Sequence, residues 1–429
     1  MERTRKSLRN LIVYQIYVRN FSEAGTFKAV IEDLDRIMEL GVNMVYLLPI
    51  HPIGKKNRKG SLGSPYSISD YRLINPELGA TDDFRKLIRA VHERDMLIMM
   101  DVVFNHTSCD SRLLMEHPEW FYHDKAGNFA NKAGDWSDVY DLDFSSDKKM
   151  WDELAETLAV YADMGVDGFR CDVASLVPLE FWRHARRAVG RESRGVIWLS
   201  ESVHGSFCKY VRDLGFNCSS ESEIYQVFDM AYDYDVRPYM EDYFAGKRPL
   251  KDYLEALQRQ DEIYPENYVK LKNLDNHDVV RIASYCKNDK DKIENWTGFL
   301  FFQKGATMLY AGEEFSCDKT PNLFEKDPIV RKRDISPYIQ KLVAIKKRPV
   351  FATGAYKVYI PEVDGVACTT FENAKEKVVG IFNLAKAEGR ISVPLEGGKY
   401  RNYLTGELVS VRAGKMNLQN GPIVLQIKK

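Results

Sequence analysis

The sequence predicts an α/β chain built on a closed (β/α)8 TIM barrel, with a small loop domain inserted after the third strand and a C-terminal antiparallel β domain. Three observations predict it. Short apolar, β-branched-rich runs alternate with longer amphipathic stretches about eight times along the first three quarters of the chain. One connection, after the third run, is about forty residues long, which marks a functional excursion with a small fold of its own rather than a plain loop. From about Phe351 onward the texture changes to alternation of apolar and polar residues, as in small antiparallel sheets. The competing doubly wound sheet would need a glycine-rich phosphate loop after an early strand, and the sequence has none.

In chain order, strands are expected at Val13–Val18, Met44–Ile50, Leu97–Phe104, Gly168–Val173, Val196–Ser200, Gly215–Cys218, Val269–Leu274 and Met308–Tyr310. Between them, apolar residues at three/four spacing predict helices such as Phe27–Leu40, Phe84–Arg94, Met150–Met164 and Phe181–Val189. Gly41, Gly165 and Gly305 each follow such a stretch and are expected to cap it. The long link runs from Asn105 to about Ser146 and is rich in Asp, Asn, Gly, His and Trp. The expected division is 1–104 plus 146–348 for the barrel, 105–145 for the insertion, and 349–429 for a C-terminal β-sandwich with turns at Asp364-Gly365 and Gly397-Gly398.

The chain has 429 residues, enough for one large domain and a smaller one, each with its own core. Its formal net charge is −1 and it carries no long Lys/Arg block, so neither a nucleic-acid nor a membrane partner is expected. The run from Leu11 to Val18 is broken by Tyr14 and Gln15 and reads as a buried strand rather than a signal peptide. No stretch approaches the roughly 20 apolar residues that a bilayer span requires. Cys109, Cys171, Cys208, Cys218, Cys286, Cys317 and Cys368 are odd in number and form no CxxC pair, so neither a disulfide framework nor a zinc site is indicated. Unpaired thiols suit a reducing compartment, and a cytoplasmic location is expected.

Four segments at the ends of expected barrel strands are dense in acids, His and Arg. They are Asp101-Val-Val-Phe-Asn105-His106, Gly168-Phe-Arg170-Cys-Asp172, Leu199-Ser-Glu201 and Asn276-His277-Asp278. Strand C-termini of a barrel converge on one mouth whatever their separation in sequence. Three carboxylates gathered there with two histidines and an arginine fit glycosidic-bond cleavage. That reaction needs one carboxylate as nucleophile and a second carboxyl group able to protonate the leaving oxygen. Arg170 and Asp172 share a strand face, so the guanidinium is expected to keep Asp172 ionised. Glu201 follows the largely apolar Val-Ile-Trp-Leu-Ser run, and desolvation there is expected to raise its pKa for acid/base work. Cys171 must face away from both and reads as packing.

In order and spacing, the strings DVVFNH, GFRCD, SE and NHD resemble the conserved regions of glycoside hydrolase family 13, the α-amylase superfamily. The segment GSPYSISDYRLINPELGATDDF, from Gly63 to Phe84, resembles that family's stretch after the second strand. The likeness covers about residues 11–345 and rests on several independent strings. It implies Asp172 as nucleophile, Glu201 as acid/base and Asp278 as transition-state stabiliser. It also implies Tyr66 stacked on the sugar in the −1 subsite, with His106, Arg170 and His277 hydrogen-bonding it, Asp101 in support and His204 touching the acceptor sugar. The implied partner is an α-glucan oligosaccharide or polysaccharide, with no cofactor required.

Two features depart from the pattern. Many calcium-dependent relatives carry Lys-His three and four residues after the nucleophile, where this chain has Ser175 and Leu176. Asn105 and Asp141 are the remaining candidate calcium ligands, and calcium normally takes six or more oxygens. Asp172-Val173-Ala174 is similar to neopullulanase forms, whereas Asp141-Leu-Asp143 is nearer to amylase and oligo-1,6-glucosidase forms. An α-1,6-acting glucosidase and a transglycosylase of the same superfamily therefore stand beside an α-1,4-glucan hydrolase, with a non-catalytic binding module as the remote alternative. Trp120, Phe121, Tyr122, Phe129 and Trp136 are expected to form the core of the long loop, with one or two reaching the cleft. Asp135 and Asp138 are expected to be solvated loop acids.

Overall fold

The computed structural model describes residues 4–134, 136–192 and 195–429. Eight parallel strands close into a barrel: β1 (Ile12–Ile16), β2 (Met44–Leu47), β3 (Leu97–Val102), β4 (Gly168–Cys171), β5 (Ile197–Ser200), β6 (Met230–Tyr232), β7 (Lys270–Asn273) and β8 (Ala306–Tyr310). Each pairs in register with its neighbours in sequence order, and β8 closes back on β1 through Val13 opposite Met308.

Alternation along the strands divides the barrel wall into two faces. Val13, Met44, Tyr46, Met99, Leu199, Tyr232, Leu271 and Met308 fill the interior, while the outward side chains join the larger core beneath the helices. Near the C-terminal ends the interior layer turns polar, where Asp101 lies in register with Arg170. Gly168 keeps this layer closed: a Cβ there would meet Met99 Cε at 2.8 Å and Ile197 O at 3.0 Å.

Helices follow the strands as expected at Thr81–His92, Lys148–Asp163 and Leu179–Glu192, whereas the expected helix Phe27–Leu40 is broken at Asp33 into Phe27–Glu32 and Leu34–Glu39. Gly41 (φ +83°) and Gly165 (φ +106°) end their helices in the left-handed region, as a C-terminal glycine should. Gly305 does not cap a helix. It passes so close to β7 that a Cβ would meet Lys270 O at 2.3 Å.

The sixth strand is a correction. Gly215–Cys218 lies in a loop after the helix Gly205–Asp213, and Cys218 packs with Leu176, Cys208 and Val211 in a small satellite cluster. The barrel strand is Met230–Tyr232, only three residues long. Short apolar runs carry no period that separates a strand from a packed loop, and burial decided between them.

The long third connection holds a two-stranded ribbon, His106–Ser108 against Val139–Asp141, and a short helix, Arg112–Glu116. Trp120 and Phe121 are buried in it, and Trp136 reaches the cleft. Beyond the barrel, Ala355–Tyr359, Val366–Glu372, Glu376–Asn383 and Ile423–Lys428 form a four-stranded antiparallel sheet, accompanied by two two-stranded ribbons. One face of the sheet packs on the ribbons through Cys368, Ile381, Ile391 and Val409. The other packs on the barrel, where Phe382 meets Phe299 and Phe302 at ring distances of 5.8 and 5.3 Å. Among the described residues, no helix is long and apolar enough to cross a membrane.

Candidate active site

The polar layer at the barrel mouth is organised by one buried guanidinium. Arg170 Nη1 donates to Asp101 Oδ1 at 2.7 Å and to Asp172 Oδ1 at 2.8 Å, while Nη2 lies 2.7 Å from Glu201 Oε1. The other oxygen of Asp101 accepts from the Tyr46 and Tyr66 hydroxyls, at 2.7 and 3.0 Å. Arg170 also lies over the Tyr66 and Tyr232 rings. Arg170 and Asp101 have no solvent exposure, so they hold the site from behind its surface.

Asp172 follows directly on β4, and its backbone N–H is tied to Val102 O. Val173 then turns into the left-handed region at φ +35°, uncommon for a β-branched residue. This turn aims the Val173 N–H at Glu201 Oε2, 2.8 Å away. Glu201 thus sits in a polar setting, not the apolar one expected from its strand, because Ile197 and Leu199 point into the barrel below it. The electrostatics of Asp172 also differ from the sequence expectation. Burial first, then the charge of Glu201, raise its carboxyl well above the usual carboxylate range, and Arg170, shared among three carboxylates, opposes only part of this.

His277 and Asp278 follow β7. His277 Nε2 lies 2.6 Å from the Tyr66 hydroxyl and 3.0 Å from Asp278 Oδ2, and its ring stacks on Tyr66 at 5.2 Å. With Tyr66 donating to Asp101, the proton between these groups sits on Nε2, and Gln15 Nε2 faces Nδ1 at 3.3 Å. Burial raises the Asp278 carboxyl, but His277 and Arg170 outweigh it and hold the group below its ordinary value. His106 is neutral: burial pushes its pKa down to about 4.

Asp172, Glu201, Asp278, Tyr66 and His106 line one cleft of about 250 Å³. Arg170, Asp101 and His277 support it from within. His204 stands apart, exposed at the rim, with Nδ1 3.0 Å from Tyr234 O and its ring stacked on Tyr234. Lys59, Ser64, Trp136, Asp138, Leu323 and Phe324 also line the cleft, with Val139 and Val173. Tyr46 was legible as an inward-facing residue two after Met44, whereas Lys59 and Phe324 reach the cleft from loops with no local signal. Asp138 is not a solvated acid: it is buried, and Lys59 Nζ lies 2.9 Å from its Oδ1. Asp135 lies outside the described residues.

Asn105 and Asp141 are joined within the chain's own hydrogen bonds. Both Asp141 oxygens already accept N–H groups, from Asn105 Nδ2 at 3.2 Å and from the Lys132 backbone at 2.8 Å. The Lys132 ammonium donates to Leu142 O at 2.5 Å, which places a positive charge of the chain's own beside this carboxylate. Burial raises the Asp141 carboxyl to about 6 against the pull of Lys132. Leu176 packs in an apolar cluster, and among the described residues no group of three or more His, Cys, Asp or Glu side chains is gathered for a metal.

Residues 15–351 match the family model described as Alpha amylase, catalytic domain. The chain belongs to the alpha-amylase family. Residues 357–425 match the family model described as Bacterial Alpha amylase C-terminal domain. Over 99% of its length this alpha-amylase family member superimposes on an alpha-amylase from Lactobacillus plantarum, covering 100% of that chain at 43% identity and a TM-score of 0.94. A noncanonic maltogenic alpha-amylase from Thermotoga neapolitana matches 99% of this chain and 100% of its own, at 30% identity and a TM-score of 0.88. An intracellular maltogenic amylase from Bacillus subtilis is 27% identical over 76% of this chain and 55% of its own length. The chain spans between about a third and about half of the length of the first curated relatives it matches.

Proposed function

We propose that this chain hydrolyses α-1,4-linked glucans, chiefly maltodextrins and malto-oligosaccharides, with net retention at the anomeric carbon. The observation that carries the reading is the Arg170 fork, which sets Asp172 and Glu201 side by side on its two Nη atoms. Such proximity suits the spacing of about 5–5.5 Å used by retaining enzymes, rather than the wider gap that admits a water between the carboxylates.

With the proton of the pair on Glu201, the Glu201 charge that raises Asp172 is gone and Arg170 holds Asp172 as the carboxylate. Asp172 then attacks C1 from one face while Glu201 gives its proton to the departing glycosidic oxygen, so the C1–O bond breaks as the glucosyl-Asp172 ester forms. Glu201, now ionised, takes a proton from water, whose oxygen attacks C1 and releases Asp172. Asp278, ionised and hydrogen-bonded by His277, faces the cleft where positive charge develops at the anomeric carbon. The neutral His106 offers a hydrogen bond to a sugar hydroxyl without adding charge.

The seven cysteines are all free and buried, which supports a cytoplasmic location and soluble oligosaccharides as substrates. The experiment is a product time course on maltoheptaose, isomaltotriose and panose, with anomeric NMR. Cleavage of maltoheptaose to α-configured products carries the proposal. Preference for isomaltotriose would replace it with an α-1,6-acting glucosidase, and products longer than the substrate would mark transfer to sugar.

A further inference from the structure

One side of the cleft is walled by contacts between loops far apart in sequence. The loop after β2 meets the loop after β8, where Leu62 N donates to Phe324 O at 3.1 Å and Ser61 N to Glu325 Oε1 at 2.7 Å. The Ser61 hydroxyl bonds the second oxygen of Glu325. Arg19 ties both loops from below, through Gly63 O at 3.0 Å and Leu323 O at 3.3 Å. The same β2 loop is pinned to the insertion by the Lys59–Asp138 ion pair. Gly60, at φ +64°, lets the two loops touch, since a Cβ there would meet Phe324 Cβ at 2.6 Å.

Topology sets which side this is. In an eight-stranded barrel β8 stands across the mouth from β4 and β5, which carry Asp172 and Glu201. The leaving oxygen is protonated by Glu201, so the acceptor part of the substrate departs on the Glu201 side. In an α-1,4-linked glucose C1 and O4 lie at opposite ends of the ring. Sugars attached through O4 must therefore run away from Glu201, toward Leu323, Phe324 and Lys59. Leu323, Phe324 and Lys59 line this end of the cleft, so the joined loops stand in the path of those sugars.

We propose that the clasp of Ser61 and Leu62 with Phe324 and Glu325 is a stop for the non-reducing end, making the enzyme chain-end-acting with a fixed product length. This rests on the α-glucan hydrolase reading above. The test compares native enzyme on maltoheptaose and on maltoheptaose whose terminal non-reducing glucose carries a 4,6-O-ethylidene group. At least tenfold faster cleavage of the free chain is expected, with one smallest first product from maltopentaose, maltohexaose and maltoheptaose alike. The Glu325→Ala variant is expected to narrow the free-to-blocked ratio by opening the clasp. Rates within twofold on the two heptamers would overturn the stop while leaving α-glucan hydrolysis intact. An enzyme inert on both would overturn the parent reading, and the stop with it.

Discussion

The Val173 backbone N–H donates to Glu201 Oε2 at 2.8 Å, from a residue held at φ +35°. A β-branched residue in this region carries about 1–3 kcal/mol of strain and persists only where its neighbours over-determine it. Here the flanking backbone is pinned on both sides, by Asp172 N to Val102 O and by Ala174 N to Glu201 O.

Val173→Gly should therefore be nearly neutral, because relief of strain offsets lost packing and the added flexibility of the unfolded chain. Val45→Gly, at a fully buried site in β2, should cost about 3 kcal/mol or more. Urea unfolding midpoints compare the two, and equal losses would contradict a strained Val173.

The two carboxylates on the Arg170 fork should separate by leaving group. Glu201→Gln should lower turnover of maltoheptaose by about 10²–10⁴, the usual worth of a general acid. The same variant should still release fluoride from α-maltosyl fluoride, whose leaving group needs no proton. Asp172→Asn should be inactive on both substrates. Fluoride release by Asp172→Asn but not by Glu201→Gln would reverse the two roles.

His51 is buried, its pKa pushed down to about 4 by burial, and its Nδ1 lies 3.0 Å from Leu73 O. Its unfolded pKa is near 6.5, so the unfolded state takes up a proton first as pH falls. Its contribution is thus complete above about pH 6.5 and is lost toward pH 4, by at most about 3 kcal/mol. Glu221, raised to about 7 by burial, and Asp141, raised to about 6, act oppositely, losing stability as pH rises through the same window. The signature is therefore a difference. The stability of the native chain relative to His51→Gln should shrink from pH 7 to pH 4, and a pH-independent difference would remove His51 from the account.

We propose that Lys132 takes the place of a metal cation at the Asn105–Asp141 junction. Chelators should leave the thermal midpoint and the activity unchanged. Lys132→Met should cost about 2 kcal/mol, the scale of a charge-assisted hydrogen bond. A drop in the midpoint with chelator, restored by calcium, would show that the metal competes successfully for Asp141.

Local pattern determined much of this protein. Eight alternations of strand and helix, and polar residues placed just past the strand ends, were enough to bring Asp101, Arg170, Asp172, Glu201 and Asp278 to one mouth, because strand period and barrel closure leave few other arrangements. Tertiary structure decided what depends on contacts between distant segments. It chose Met230–Tyr232 over Gly215–Cys218 as the sixth strand, since both are short apolar runs and only burial in the closed barrel tells them apart. It made Arg170 a fork shared by Asp172 and Glu201, so that burial and mutual charge, not a private ion pair, set the state of Asp172. It buried Asp138 against Lys59 and joined Ser61 to Glu325, pairings 79 and 264 residues apart whose energy exists only once the loops meet. Residue types and spacing carry the chemistry, because catalytic groups must sit at strand ends. The shape of the cleft around them comes from loop-to-loop contacts, which no local period encodes.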